Sequence, residues 1–429
     1  MAVAAGKMAR VASRLRGGGS ALPGLVVERL DPRFLTHALA DLPRVVVVTG
    51  TNGKTTTTKM LVAILREHGL TVFSNPTGSN FTRGVISSMV AEISLSGRLE
   101  ADMAVLELDE AHALKFAAEV KPTHALLLNV ARDQLDRFAE IDHTARLLAE
   151  LAEQTTTGVV LNLNDSFVSR IAGRVPAGVA VTYFGVDPSI ADRLPELQEA
   201  DVRFEDDFTP PKPTAADGLL KPHDERSFEV RFGPTNRVGP MVLKQRGLAA
   251  MINATAATST ARALLGNEFR NDGAVAALER VQPPFGRGEV IDADGQPLEL
   301  VLVKNPAGFT VALSTYGNTP VTTMVAINDN YADGRDVSWL YDVSFESLRG
   351  KGAALTSGVR AYDMALRLQY DDVAVAQVEP DLDLALERFL TEYKGEPKRI
   401  FCTYTAMMTL RRNLAGRYGL TNFGEETQP

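Results

Sequence analysis

The segment Thr49-Gly50-Thr51-Asn52-Gly53-Lys54-Thr55-Thr56 follows directly on the apolar run Val45-Val46-Val47-Val48. A strand, a glycine turn and a helix start in that order aim backbone N–H groups and the positive end of a helix at an anion. Phosphate is the anion such loops hold. Gly50, Thr51, Asn52, Gly53, Lys54, Thr55 and Thr56 therefore read as a nucleotide-phosphate loop, with Lys54 reaching the β- and γ-phosphates and Thr55 holding Mg²⁺. The full pattern needs a glycine where Val48 stands, so the loop is a shortened variant. A glycine turn that binds nothing is the plain alternative, and the succession of strand, Gly, Lys and Thr argues against it.

Other polar groups sit where apolar runs end. Glu107 closes Met103-Ala104-Val105-Leu106 and is followed by Asp109 and Glu110. A carboxylate at a strand end beside a phosphate loop suits Mg²⁺; a solvated acidic loop is the competing reading. Asn129 ends the next run and leads into Arg132-Asp133-Gln134-Leu135-Asp136-Arg137, where Asp133 is either part of a metal or substrate shell or a helix cap. Asn253 and Arg287 are candidates for the far end of the nucleotide. Arg287, in Gly286-Arg287-Gly288-Glu289, would pair with phosphate on domain closure or form an ordinary interdomain salt bridge. The densest polar cluster runs from Asn328 to Trp339 and carries Asp329, Asp333 and Asp336. Acids and amides there suit acid–base work; an acidic turn-rich loop is the alternative, and EF-hand spacing does not fit. Cys402, the one cysteine, lies in an alternating strand-like segment and reads as a buried structural thiol, which leaves no multi-cysteine zinc site and no zinc expected.

The elements that must position these residues alternate. Short apolar strands at Leu70–Phe73, Met103–Leu108, Ala125–Asn129 and Gly158–Leu163 are separated by amphipathic helices, as at Thr57–Glu67 and Val85–Leu95. That pattern implies an α/β fold with a mostly parallel sheet covered on both faces, and ligands at the carboxyl ends of its strands. Residues 186–240 are rich in Pro, Asp and Glu and read as an excursion or insertion. An Ala-rich helix, Ala249–Leu265, precedes a hinge-like Val281-Gln282-Pro283-Pro284-Phe285-Gly286. Strands at Leu298–Val303, Val321–Ile327 and Arg399–Thr403 then give a second, smaller α/β unit. The expected organisation is a helical lead-in over 1–40, a nucleotide-binding central domain over 41–283 and a C-terminal domain over 284–429.

Length and composition set outer bounds. A chain of 429 residues exceeds one typical domain, and its 45% hydrophobic and 23% charged content is that of an ordinary globular protein. The net charge of −8 argues against a nucleic-acid partner. No apolar run approaches a bilayer span, and the start is not a secretory signal, so the expected location is cytoplasmic, with a peripheral place at the inner membrane face as the alternative. The basic stretch with Lys7, Arg10, Arg14 and Arg16 reads as one helix closed by Gly17-Gly18-Gly19 and packed on the ATPase domain. Contact with an anionic membrane surface is its alternative.

Gly50-Thr51-Asn52-Gly53-Lys54-Thr55-Thr56 resembles the ATP loop of the Mur ligases, a superfamily that includes folylpolyglutamate synthases. Glu107 falls where those ligases place a Mg²⁺-binding Glu. Asp133-Gln134-Leu135-Asp136 resembles their Asp-His-Leu-Asp segment, and Asn162-Leu163-Asn164-Asp165, Asn253 and Gly286-Arg287-Gly288-Glu289 match as well. Lys304-Asn305-Pro306-Ala307-Gly308, Asn328 to Trp339, and Ser357 to Ala365 with Arg367 are most similar to the MurT group, the ligase subunits of lipid II isoglutaminyl synthase. About forty residues precede the loop, too few for a separate UDP-binding domain. Departures are the missing four-cysteine zinc ribbon, Ala250 in place of a frequent Asn, and Val301 where a ribose-binding Asp is usual.

The resemblance implies ATP and Mg²⁺ as cofactors and amidation of the α-carboxylate of D-glutamate in the lipid II stem peptide, through an acyl phosphate. It also implies ammonia from a separate GatD-like glutamine amidotransferase subunit in a heterodimer. Asp336 is the expected acceptor or positioner of the ammonia proton, with Asp333 and Asp342 behind it, and Lys54 the expected catalytic cation. A folylpolyglutamate-synthase-like ligase and a non-catalytic nucleotide-dependent scaffold are the alternatives.

Overall fold

A computed structural model describes residues 1–15, 22–75, 81–131, 141–190, 208–284, 286–317 and 319–420. Its strands, numbered in chain order, are β1 (Val45–Thr49), β2 (Val72–Ser74), β3 (Met103–Glu107), β4 (His124–Leu127), β5 (Gly158–Asn162), β6 (Ala180–Val186), β7 (Gly218–Pro222), β8 (Ser227–Phe232) and β9 (Asn236–Val242) in the first sheet. Those of the second are β10 (Arg287–Ala293), β11 (Gln296–Leu302), β12 (Thr322–Ala326), β13 (Ala353–Ser357), β14 (Val375–Glu379) and β15 (Lys398–Cys402). Together they form a large parallel-dominated sheet followed by a smaller C-terminal α/β unit.

The first sheet runs β2-β3-β1-β4-β5-β6-β7-β8-β9. Pairing is parallel from β2 through β7 and antiparallel from β7 to β9. β1 is buried at every position, as its valine run requires for a strand covered on both faces. It lies between β3 and β4, while the chain leaving it crosses over to β2. Such a change in winding direction opens a crevice at the carboxyl ends, and Gly50, Glu107 and Asn129 all stand there. One face packs on Leu248–Leu265 and Lys54–Glu67, the other on Thr82–Glu92, Glu110–Glu119 and Ile141–Gln154.

Residues 186–240 differ from the reading as an excursion. β7, β8 and β9 fall there and extend the sheet. Phe228, Val230 and Phe232 are buried on β8 and alternate with Glu229 and its partner Arg231, a period of two in residue type that the surrounding Pro and acidic residues obscured. Pro240 is accommodated because β9 is the edge strand.

The second sheet runs β10-β11-β15-β12-β13-β14, antiparallel only at β10–β11. The expected strands became β11, β12 and β15, which form its centre; β10, β13 and β14 were not anticipated. Cys402 is fully buried at the end of β15 and its thiol pKa is pushed up by burial. That is the structural role its surroundings suggested.

Candidate functional site

The loop after β1 turns on two glycines with positive φ, Gly50 at 132° and Gly53 at 87°. A side chain at Gly53 would also run into Asn253, whose Oδ1 lies 2.5 Å from where a Cβ would be. Asn253 is thereby seated against the glycine turn itself, whereas the sequence reading had it at the far end of the nucleotide. The loop is pinned from beneath by Asn129. Its Oδ1 accepts from the Asn52 N–H at 2.8 Å, and its Nδ2 donates to the Asn52 carbonyl at 2.9 Å. Thr51 completes the tie through the Ala131 carbonyl and N–H.

Thr55 and Glu107 meet as the sequence implied. The Thr55 hydroxyl donates to Glu107 Oε1 at 2.8 Å, and both residues are buried. A hydroxyl and a carboxylate side by side are hard oxygen donors of the kind Mg²⁺ takes. Asn75 fixes the Glu107 backbone by a reciprocal pair of hydrogen bonds at 2.9 Å. Among the described residues no group of three or more His, Cys, Asp or Glu could cage a metal. A nucleotide-bound Mg²⁺ does not need one, since it keeps phosphate and water oxygens as ligands.

Lys54 is folded back. Its ammonium donates to the Gly50 carbonyl at 2.6 Å and lies 3.4 Å from Glu110 Oε1, both side chains being buried. Glu110 begins the helix Glu110–Glu119 and faces the loop across 56 residues of sequence. Sequence reasoning placed it only in an acidic run; its pairing with Lys54 had no local signal.

Among the described residues, Arg287, Lys304 and Asn305 of the second unit reach the loop. Arg287, at the start of β10, donates to Thr55 Oγ1 at 3.1 Å and Thr56 Oγ1 at 3.2 Å. Burial lowers the pKa of its guanidinium and the Glu107 charge opposes that, without neutralising the group. Lys304 donates to the Thr51 carbonyl at 3.3 Å, and Asn305 Nδ2 lies 3.2 Å from Asn52 Oδ1. Asn305 also caps the helix Pro306–Ala312. Behind them Arg246 and Glu299 form an ion pair at 2.5 Å, and Arg399 binds the same carboxylate at 2.8 Å. This network was not read from the sequence, because its members are scattered over β11, β15 and the segment before Leu248–Leu265.

The polar cluster after β12 is built in two layers. Asp333 is buried. It accepts from Thr405 N at 2.7 Å, Thr405 Oγ1 at 2.5 Å and Asn330 N at 3.2 Å. Burial nevertheless raises its pKa above the ordinary Asp value, aided by Asp329. Asn328 ties the same loop to Thr403, Thr405 and the Val359 N–H, and Asp329 pairs with Arg360 at 2.7 Å. Asp336 is exposed and accepts from Ser338 N at 2.8 Å, which lowers its pKa. Among the described residues no hydrogen bond or ion pair joins Asp336 to the phosphate loop. Asp342 is exposed as well. The expected Asp133-Gln134-Leu135-Asp136 segment lies outside the described residues.

The family profile of the MurT ligase C-terminal domain matches residues 302–407, and that of the Mur ligase middle domain matches residues 48–210. The lipid II isoglutaminyl synthase (glutamine-hydrolyzing) subunit MurT of Streptococcus pneumoniae is 31% identical over 446 aligned positions, covering 95% of this chain and 94% of that one. The subunit of the same name from Staphylococcus aureus (strain COL) is 28% identical over 430 positions, covering 91% and 92%. The MurF ligase of Thermotoga maritima, solved in complex with ADP, superposes with a TM-score of 0.65 at 17% identity, covering 90% of this chain and 84% of that one. At that identity the likeness speaks to fold alone.

Proposed function

The chain belongs to the MurT family of Mur-type ATP-dependent ligases, and from that footing we propose that it amidates the α-carboxylate of D-glutamate in the stem peptide of lipid II. The observation that carries the reading is the bridge from Arg287 to Thr55 and Thr56, beside the Thr55–Glu107 pair. It sets a cation of the second unit over the end of the phosphate loop, where charge on a transferring phosphoryl group would need stabilising.

In this reading ATP is a substrate, held by the loop N–H groups of Gly50 to Thr56 and by Asn253. Thr55 and Glu107 would hold Mg²⁺, whose charge offsets that of the phosphates. Lys54 would exchange its contacts to Gly50 and Glu110 for the phosphates. The γ-phosphoryl group passes to a carboxylate oxygen, and ADP leaves. Ammonia nitrogen then bonds to the carbonyl carbon, the bond to the phosphate oxygen breaks, and the nitrogen gives up a proton. Asp336, ionised and exposed, is the proposed acceptor or positioner for that proton. Asp333 is proposed to hold the Asp336 loop in place and Asp342 to stand in reserve. Ammonia is proposed to come from a GatD-like glutaminase subunit, and the boundary between the two units is placed at 283/284. Among the described residues no helix is long and apolar enough to cross a membrane.

The test is mass spectrometry of lipid II incubated with the chain, its co-purified partner, ATP, Mg²⁺ and either glutamine or ammonium. Conversion of acid to amide that requires ATP is the expected result. Absence of amidation by folded, ATP-binding protein would overturn the reading. Amidation from ammonium without the partner, but from glutamine only with it, would separate the two chemistries.

A further inference from the structure

The N-terminal helix Ala2–Leu15 packs by one face. Val3, Gly6 and Ser13 are buried, and a side chain at Gly6 would lie 2.4 Å from Val27 and 3.1 Å from Val90. That face is held by the helices Leu22–Leu30 and Thr82–Glu92. The opposite face inverts the usual order. Met1, Ala4, Met8, Val11 and Ala12 are its exposed residues, at helical spacing, with Met8 67% and Val11 59% accessible. A surface helix ordinarily turns charge outward and apolar groups in. Here the cations Lys7 and Arg10 are half-buried along one flank of an apolar stripe.

Charge in this stretch of the sequence is one-sided. The chain carries −8 in all, yet its first acidic residue is Glu28, and Lys7, Arg10, Arg14 and Arg16 precede it. Glu28 itself is paired with Arg83 at 2.6 Å. The acid facing the helix from Thr82–Glu92 is Glu92, which feels the charges of both Arg10 and Arg66. Leu22 and Leu30, on the neighbouring helix, are also exposed, at 47% and 58%. Aromatic anchors, which dominate protein–protein hot spots, are missing from this stripe. Shallow aliphatic burial flanked by cations is the form of a helix lying in the interface of an anionic bilayer.

We propose that the exposed face of Ala2–Leu15, with Met8 and Val11 at its centre, docks this protein on an anionic lipid surface. The inference deepens the reading of a lipid-linked substrate by naming where the enzyme meets the membrane. It is tested without lipid II or turnover, so its failure is separable from failure of that reading.

The experiment is co-sedimentation of the full chain, with its partner where co-purified, on phosphatidylglycerol vesicles and on phosphatidylcholine vesicles. The protein is expected to sediment with the first, weakly with the second, and less as salt rises. Met8→Glu combined with Val11→Glu should reduce partitioning to phosphatidylglycerol by about tenfold or more. Melting temperature and binding of an ATP analogue should stay as they were. Protein that remains in the supernatant with phosphatidylglycerol, or a double variant that sediments equally, overturns the proposal. A double variant that instead changes the oligomeric state on a sizing column assigns the face to a protein contact and overturns it too.

Discussion

At the carboxyl edge of the first sheet, acidic groups are enclosed and already answered. Glu107 holds the Thr55 hydroxyl and Glu110 the Lys54 ammonium, all of them buried. At the corresponding edge of the second sheet the acids divide. Asp333 is buried and saturated by Thr405 and Asn330, while Asp336, three positions on, is exposed and, among the described residues, bound to Ser338 alone. The first arrangement suits a ligand of fixed shape, because a phosphate chain can replace one set of charge-assisted contacts with another in a closed site. The second suits a group that must meet something arriving from outside, with one acid anchoring the loop and another left free to act.

The comparison breaks first at Lys54. Lys54→Met should lower the amidation rate by about a thousandfold or more, since no other side chain on the loop can offset charge on the phosphoryl group. Mass spectrometry of the product gives the rate, and the melting temperature controls for the buried Glu110 left behind. Near-normal turnover would mean that the pre-built edge is not the nucleotide edge.

The division between Asp336 and Asp333 gives the next effects. Asp336→Asn should lower amidation by about a hundredfold with the melting temperature unchanged. Asp333→Ala should instead cost about 1–3 kcal/mol of stability, because it strands the Thr405 N–H and hydroxyl. Denaturant titration alongside the amidation assay separates them. Full amidation by folded Asp336→Asn protein would remove its proposed role.

A smaller effect tests how the second unit is held over the first. Arg246→Met or Glu299→Gln should raise KM for ATP by about fivefold to tenfold with kcat less affected, as each loosens the support behind Arg287 and Lys304. The double variant should be no worse than the more damaging single one. Additive losses would show that the two residues act separately.

What could be read from the chain follows the range of each interaction. The glycine turn after β1 was legible because its signal is local: strand, two glycines, Lys54 and Thr55 lie within a few residues of one another. Glu107 was legible because it ends an apolar run. Glu110 was visible only as one acid among several, since its partner is a long way off in sequence. Asn75 and Arg246 act across 32 and 53 residues of sequence and no periodicity marks them, while Asn129 stood out only as the end of an apolar run. In the second unit the loop from Asn328 to Trp339 stood out by composition. Composition alone could not rank Asp333 against Asp336, because the ranking depends on the Thr405 side chain and N–H arriving from after β15. The strands β8 and β9 were missed although Phe228, Val230 and Phe232 alternate in plain view, because flanking Pro and acidic residues outweighed a short period-two signal.

The smallest effect is the one that separates the two aspartates by sign. Asp333 has a pKa raised by burial, so the folded protein holds its proton more tightly than the unfolded chain does. Its contribution to stability is therefore greatest at low pH and falls as pH rises from the ordinary Asp value of about 4 through the raised one. Asp336 has a pKa lowered by the Ser338 hydrogen bonds, so its contribution is present above the ordinary value and is lost as pH falls through the lowered one. Denaturation midpoints across the acid range should then respond oppositely to substitution. Asp333→Asn should flatten the decline on the rising side, and Asp336→Asn should flatten the loss on the falling side. The second change should be slight, because Asp336 faces solvent. If Asp333→Asn leaves the rising side unaltered, the buried carboxyl is ionised in the folded protein at no cost. The loop would then be held by a permanent charge, and the contrast between the two acids would rest on exposure alone.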